Sequence, residues 1–210
     1  MSLWSDDFLQ AAIPPDHCAD VLAGLYDIPS LSFNEPPVVL DLGANIGAFA
    51  RWAREKWPSC TLHCFEPHPS NYALLFRTAA ILGGNINLSP WAVLDSDTKM
   101  PLYPGEFNCG EHSLAHDPKC GRTPIMVEVI DAVRLPLAEV VKVDTEGAEW
   151  AILHRMATTG RLEKTQAIML EWHRDEYAIA IPNLLGKFGF TLHERKDMCP
   201  TRGEMKFLRK

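Results

Sequence analysis

The sequence predicts an α/β fold: a Rossmann-like, mostly parallel sheet with helices between its strands. Three observations carry this. The aliphatic run VVLDL over residues 38–42 meets two closely spaced glycines, Gly43 and Gly47, and passes at once into the amphipathic run FARWAR. A second apolar run, 60–65, ends in Glu66-Pro67. Two further runs, 140–143 and 167–170, end in Asp144 and Glu171. Strand patterns alternating with helical ones point to βαβ units. In open sheets of this kind ligands bind beyond the carboxyl ends of the strands.

The first turn is the most informative element. A dinucleotide fold carries G-x-G-x-x-G/A, whose second glycine admits a pyrophosphate. Gly43 and Ala48 fit the first and third positions, but Asn45 occupies the second. A side chain then stands where the pyrophosphate belongs. Asp41 is expected to point its carboxylate into the crevice, which suits a cationic ligand. S-adenosylmethionine has an ammonium, a sulfonium, a ribose diol and no phosphate. The spacing D-x-G-x-N-x-G resembles the first motif of class I methyltransferases.

The second strand, 60–65, ends in Glu66. An acid about 20 positions beyond the glycine turn is where a ribose diol is gripped, because two carboxylate oxygens accept from both hydroxyls. Ser70 or Asn71 is expected to cap the following helix. Residues 86–94 read as a third strand; the resemblance to class I methyltransferases, where the end of this strand flanks the adenine ring, implies Trp91 or Ala92 beside it.

Residues 140–149, VVKVDTEGAE, form a buried-looking strand that turns acidic and then starts a helix at Gly147. Asp144, Glu146 and Glu149 crowd its end. Like charges at such range need a cation nearby or raise one another's pKa. Residues 167–170 lead into Glu171, Trp172 and His173. Adjacent parallel strands are expected to set Asp144 and Glu171 side by side on one rim.

DLGANIG, FEP and VKVDTEGAE together resemble the FkbM-type methyltransferases, over roughly residues 38–173. The resemblance implies a class I methyltransferase sheet of seven strands with an antiparallel C-terminal hairpin, helices on both faces and S-adenosylmethionine as donor. It implies a hydroxyl oxygen as acceptor. By position, Asp41, Gly43, Asn45, Gly47 and Glu66 hold the cofactor, and Asp144, Glu146 and Glu149 line the reaction side.

Composition sets bounds. One domain is expected of 210 residues, 47% of them hydrophobic. A net charge of -7 and a pI near 5.6 disfavour a nucleic-acid substrate. No run approaches the roughly 20 apolar residues of a membrane span. The N-terminus lacks a signal-peptide pattern, and six scattered cysteines suit a reducing compartment, so a cytoplasmic protein is expected.

Residues 1–37 are expected to form a helical cap, with a helix over 16–25, on a methyltransferase domain at 38–210. Residues 95–123 interrupt the β-α alternation with several prolines and glycines. Long insertions of this kind are often functional, so acceptor recognition is expected here, with Glu111, His112 and Ser113 facing a small-molecule or saccharide acceptor. Cys109, His112, His116 and Cys120 are all zinc-ligating types, but C-x2-H-x3-H-x3-C matches no standard module. Residues 190–194 and 205–208 read as the C-terminal hairpin.

Methyl transfer to a hydroxyl requires alignment and a base. Asp144 is the first candidate for that base and His173 the second. In an alternative mechanism Asp144 and Glu171 hold a divalent cation that acidifies the hydroxyl; the direct base is preferred. Other functional readings are a binding module for S-adenosylmethionine or a nucleotide without transfer, and an NAD-dependent oxidoreductase, which Asn45 opposes.

Overall fold

The computed structural model describes residues 19–21, 23–103, 112–114 and 123–210. A seven-stranded sheet runs in the order β3-β2-β1-β7-β8-β10-β9. Its parallel strands are β1 (Val38–Leu42), β2 (Thr61–Phe65), β3 (Ile86–Ser89), β7 (Val140–Val143) and β8 (Ala167–Trp172). The antiparallel hairpin β9 (Phe190–Cys199) and β10 (Arg202–Arg209) completes it along β8. From β1 the chain proceeds outward to β2 and β3, then returns to β7 on the other side. The β1/β7 boundary is therefore the topological switch point, where crevices open in such sheets.

The strand sequences explain the layering. β1, β7 and β8 are almost wholly buried, as expected for parallel strands covered on both faces. Their side chains alternate between two cores. Leu40, Leu42, Val141 and Val143 join Ile152, Met156 and Trp172 on one face. Val39, Val140 and Met169 join Phe49, Trp52 and Leu62 on the other. The covering helices are α1 (Ala48–Lys56), α2 (Pro69–Leu82), α3 (Glu149–Thr158) and α4 (Tyr177–Lys187).

Several local expectations change. Residues 86–94 are not one strand. Pro90 follows the end of β3, and β4 (Ala92–Leu94) joins β5 (Thr98–Leu102) and β6 (Ile125–Asp131) in a separate three-stranded sheet. Proline has no N–H to continue a ladder. The second sheet is tied to α3 by a bidentate pair, with Arg155 donating to both Asp131 oxygens at 2.6–3.2 Å. Neither Ser70 nor Asn71 caps α2; Pro69 opens the helix, where its missing N–H costs nothing. The helix after β7 begins at Glu149, not Gly147, because Glu146 and Gly147 both have positive φ.

The helix expected over 16–25 is helical at 19–21 and a turn over 23–26. Residues 16–18 and 22, like Cys109, Glu111, His116 and Cys120, lie outside the described residues. Tyr26 and Ile28 bury against the face that holds Phe49, the Tyr26 and Phe49 rings meeting edge-on at 5.2 Å. Among the described residues no helix is long and apolar enough to cross a membrane.

Candidate active site

A cleft of about 350 Å3 opens over the switch point, within the range of ligand pockets. One end is built by the turn after β1. Gly43 (φ 77°) approaches β7 so closely that a Cβ would lie 1.8 Å from the Asp144 carbonyl oxygen. Its glycine is needed for strand contact rather than for ligand approach. Gly47 (φ 95°), unlike Gly43, does not line the cleft; a Cβ there would meet Thr78 and Leu75 of α2. Asn45 sits in the left-handed region (φ 50°) and lines the cleft, its buried Oδ1 without a hydrogen-bond partner.

Glu66 lies beside Asn45. Its two oxygens accept from the backbone N–H groups of Asn45 and His68, each at 2.9 Å. Burial pushes its carboxyl up to about 7, although both of those donors favour the ionised form. The adjoining wall is apolar: Trp91, Ala92 and Val93 from the β3–β4 region, with Leu102 and Leu114. His112 lines the same wall and stacks on His68 at a centroid separation of 3.9 Å.

Asp41 departs from expectation. It is fully buried beneath the turn and does not line the cleft. Its partner is Lys142, opposite it in the β1–β7 register, at 3.2 Å. The Lys142 ammonium also donates to the Gly43 carbonyl at 2.6 Å and stands 3.7 Å from Asp144. Burial pushes the Asp41 carboxyl up against the opposing pull of Lys142. The pair braces the turn from below.

The other end of the cleft is acidic. Asp144 and Glu171 follow paired positions of β7 and β8, and both line it with Glu146. Glu146 has φ 54°, a conformation that side chains rarely adopt and that concentrates at functional sites. The Ser113 hydroxyl donates to the Glu146 carbonyl at 2.6 Å, so this part of the insertion fixes the acidic loop. Burial pushes the Glu146 carboxyl up to about 8, with His173 opposing.

Glu149 is not on the cleft wall. It is fully buried, and one oxygen accepts from Thr145 N–H, Thr145 O–H and Gly147 N–H at 2.9–3.2 Å. The same oxygen is 3.1 Å from His173 Nδ1. Glu149 thus organises the loop from behind. His173 also sits behind the wall, its Nε2 3.3 Å from Glu146 and 3.4 Å from Glu171. Burial alone would push its pKa down, but Glu149 and Glu171 outweigh that and raise it to about 11. A ring set among carboxylates and away from the cleft surface is badly placed to take an acceptor's proton. Glu171 is likewise engaged, by Arg202.

The comparisons with known proteins agree with this architecture. The family model for the methyltransferase FkbM domain matches residues 41–197. The chain belongs to the FkbM methyltransferase family. A curated relative, methyltransferase sdnD of Sordaria araneosa, is 38% identical over 74 residues; the match covers 35% of this chain and 25% of that protein. Among solved structures, methyltransferase FkbM from Methylobacillus flagellatus KT aligns with a TM-score of 0.57 at 12% identity, covering 92% of this chain and 50% of that one. Magnesium protoporphyrin IX methyltransferase from Synechocystis PCC 6803, with bound SAM, aligns at 0.54 and 11% identity, covering 100% and 88%. At these identities the likeness shows the fold, that of class I methyltransferases.

In this FkbM domain, then, the cleft brings together Gly43, Asn45, Glu66, Trp91, Ala92, His112, Asp144, Glu146 and Glu171 of the expected residues. It leaves Asp41, Gly47, Glu149 and His173 behind the surface. Lys142, a cation that the sequence offers for the crowded acids, stands 3.7 Å from Asp144 but pairs chiefly with Asp41. Two contributors were not singled out in the sequence. Arg202 reads as a turn residue, and only the register Gly203↔Trp172 brings it to Glu171. Tyr26 lines the cleft from the segment before β1.

Proposed function

We propose that this chain transfers a methyl group from S-adenosylmethionine to a hydroxyl oxygen of a small molecule or saccharide. The observation that carries the reading is the division of the cleft. A buried carboxylate, Glu66, and an apolar wall occupy one end, and a crowd of carboxylates the other. S-adenosylmethionine supplies an electrophilic methyl on a sulfonium. Both oxygens of Glu66 retain a lone pair for the ribose hydroxyls after accepting from the backbone. Asn45 Oδ1 is a buried acceptor in want of a donor. Trp91 and Ala92 offer the adenine an apolar surface, and the acidic end favours cationic groups. Asp144 lines the acidic end, and in this reading its carboxylate promotes loss of the acceptor's hydroxyl proton. Membership of the FkbM family supports the donor and the reaction class.

Two measurements test this. Calorimetry is expected to show S-adenosylhomocysteine binding and little NAD binding; tighter NAD binding overturns the cofactor. With a panel of hydroxylated acceptors, Asp144→Asn is expected to lower turnover by about 10² to 10⁴ while the S-adenosylhomocysteine Kd holds. Wild-type turnover in that variant removes Asp144 from the chemistry.

A further inference from the structure

The acidic end of the cleft has the form of a metal site. Asp144, Glu146 and His173 each offer one donor atom, and these atoms lie within 4.8 Å of one another. Donors bound to one ion at about 2.1 Å stand about 3.0–3.4 Å apart in cis or tetrahedral positions, so the three side chains draw together on binding.

Proximity of acids alone proves nothing; the histidine supplies the independent observation. Its side chain is only 10% exposed. Its Nδ1 is taken by the fully buried Glu149, at 3.1 Å. Its Nε2 makes no aligned hydrogen bond, although Glu146 and Glu171 stand 3.3 and 3.4 Å away, and an ion bound there displaces the proton that this nitrogen holds in the metal-free protein. Metal-ligating histidines are held in this way, one nitrogen oriented by a carboxylate and the other presented to the ion. Glu149 also receives the N–H groups of Thr145 and Gly147, so one buried carboxylate orients the imidazole and the loop bearing Glu146 together. Glu171 is occupied by Arg202, which leaves it outside the donor set.

We infer that Asp144, Glu146 and His173 bind one divalent cation at the acceptor end of the cleft. The mixed donor set selects the ion. Carboxylates suit Mn2+, Mg2+ and Ca2+, and imidazole suits Zn2+ and its neighbours. Two carboxylates with one imidazole favour Mn2+ or Zn2+ over Ca2+. His173 approaches from behind the wall, and Asp144 and Glu146 line the cleft, so the ion's remaining positions open towards the acceptor. A hydroxyl bound there becomes more acidic. This deepens the proposed methyl transfer and rests on it for the identity of the acceptor, but ion binding is independent of turnover.

The test uses the full chain, stripped with chelator and titrated with Mn2+ by electron paramagnetic resonance, with Zn2+, Mg2+ and Ca2+ as competitors. One Mn2+ per chain is expected, displaced by Zn2+ and not by equal Ca2+. Glu146→Gln and His173→Ala, checked for folding by circular dichroism, are each expected to weaken binding at least tenfold. No binding by the wild type, or unchanged binding in well-folded Glu146→Gln, overturns the site. Loss of Mn2+ in Cys109→Ser also overturns it, because the ion then belongs to the insertion. S-adenosylhomocysteine binding is measured on the same samples. Mn2+ bound without S-adenosylhomocysteine keeps the metal site and sinks the proposed donor; the reverse sinks the metal site alone.

Discussion

The proposed ribose contact of Glu66 predicts a cofactor affinity that depends on pH. In the free protein its carboxyl titrates at about 7 instead of its usual 4.5, because burial outweighs two backbone donors. Only the ionised form accepts from both ribose hydroxyls. With a pKa of about 7, roughly one tenth of the chains are ionised at pH 6 and roughly nine tenths at pH 8. S-adenosylhomocysteine affinity is therefore expected to rise about tenfold over that interval, or ~1.4 kcal/mol. The sign follows from the direction of the shift. A raised acid pKa means that the folded protein holds its proton longer than the unfolded chain. The free protein loses stability as pH rises from 4.5 towards 7, and ligand donors offset that loss. Lys142 and Asp41 are the charged groups acting on Glu66, and His68, lowered by burial, lies beside it. Glu66→Gln separates their contributions. Calorimetry at pH 6, 7 and 8 on both proteins is the assay. A pH-independent wild-type Kd, or a slope that survives in Glu66→Gln, refutes the reasoning.

Two further predictions concern the support of the site. Lys142→Met leaves the fully buried Asp41 without its ion partner and is expected to cost about 3–5 kcal/mol in denaturant unfolding; adding Asp41→Asn should recover most of it, and no recovery means the two do not act as a pair. Gly43→Ala forces a Cβ against the Asp144 carbonyl at positive φ, with an expected loss of about 3 kcal/mol. That corresponds to a Tm lower by roughly 6–12 °C, and an unchanged melting curve contradicts the close approach.

Some of this protein was legible in the chain alone. The glycine turn, Glu66 and Asp144 follow strand ends, because each breaks an apolar run with residues that favour a turn or water, whereas Glu171 lies one residue inside the end of β8. While the count of seven strands followed from the family resemblance, those local signals pointed to a parallel α/β sheet and to the general position of the cleft. What each side chain does there was decided by tertiary structure. Asp41 and Asn45 lie four residues apart in one motif, yet Asp41 is still in β1 and buried against Lys142, while Asn45 lies beyond the strand, at positive φ in the turn, and reaches the cleft. Glu149 and His173 lie 24 residues apart and meet only because α3 starts behind β8. Arg202 reaches Glu171 through an antiparallel register with no local trace in sequence. Sequence periodicity reports which face a residue takes; which distant charge shares that face depends on strand order and register, which exist only in the folded sheet.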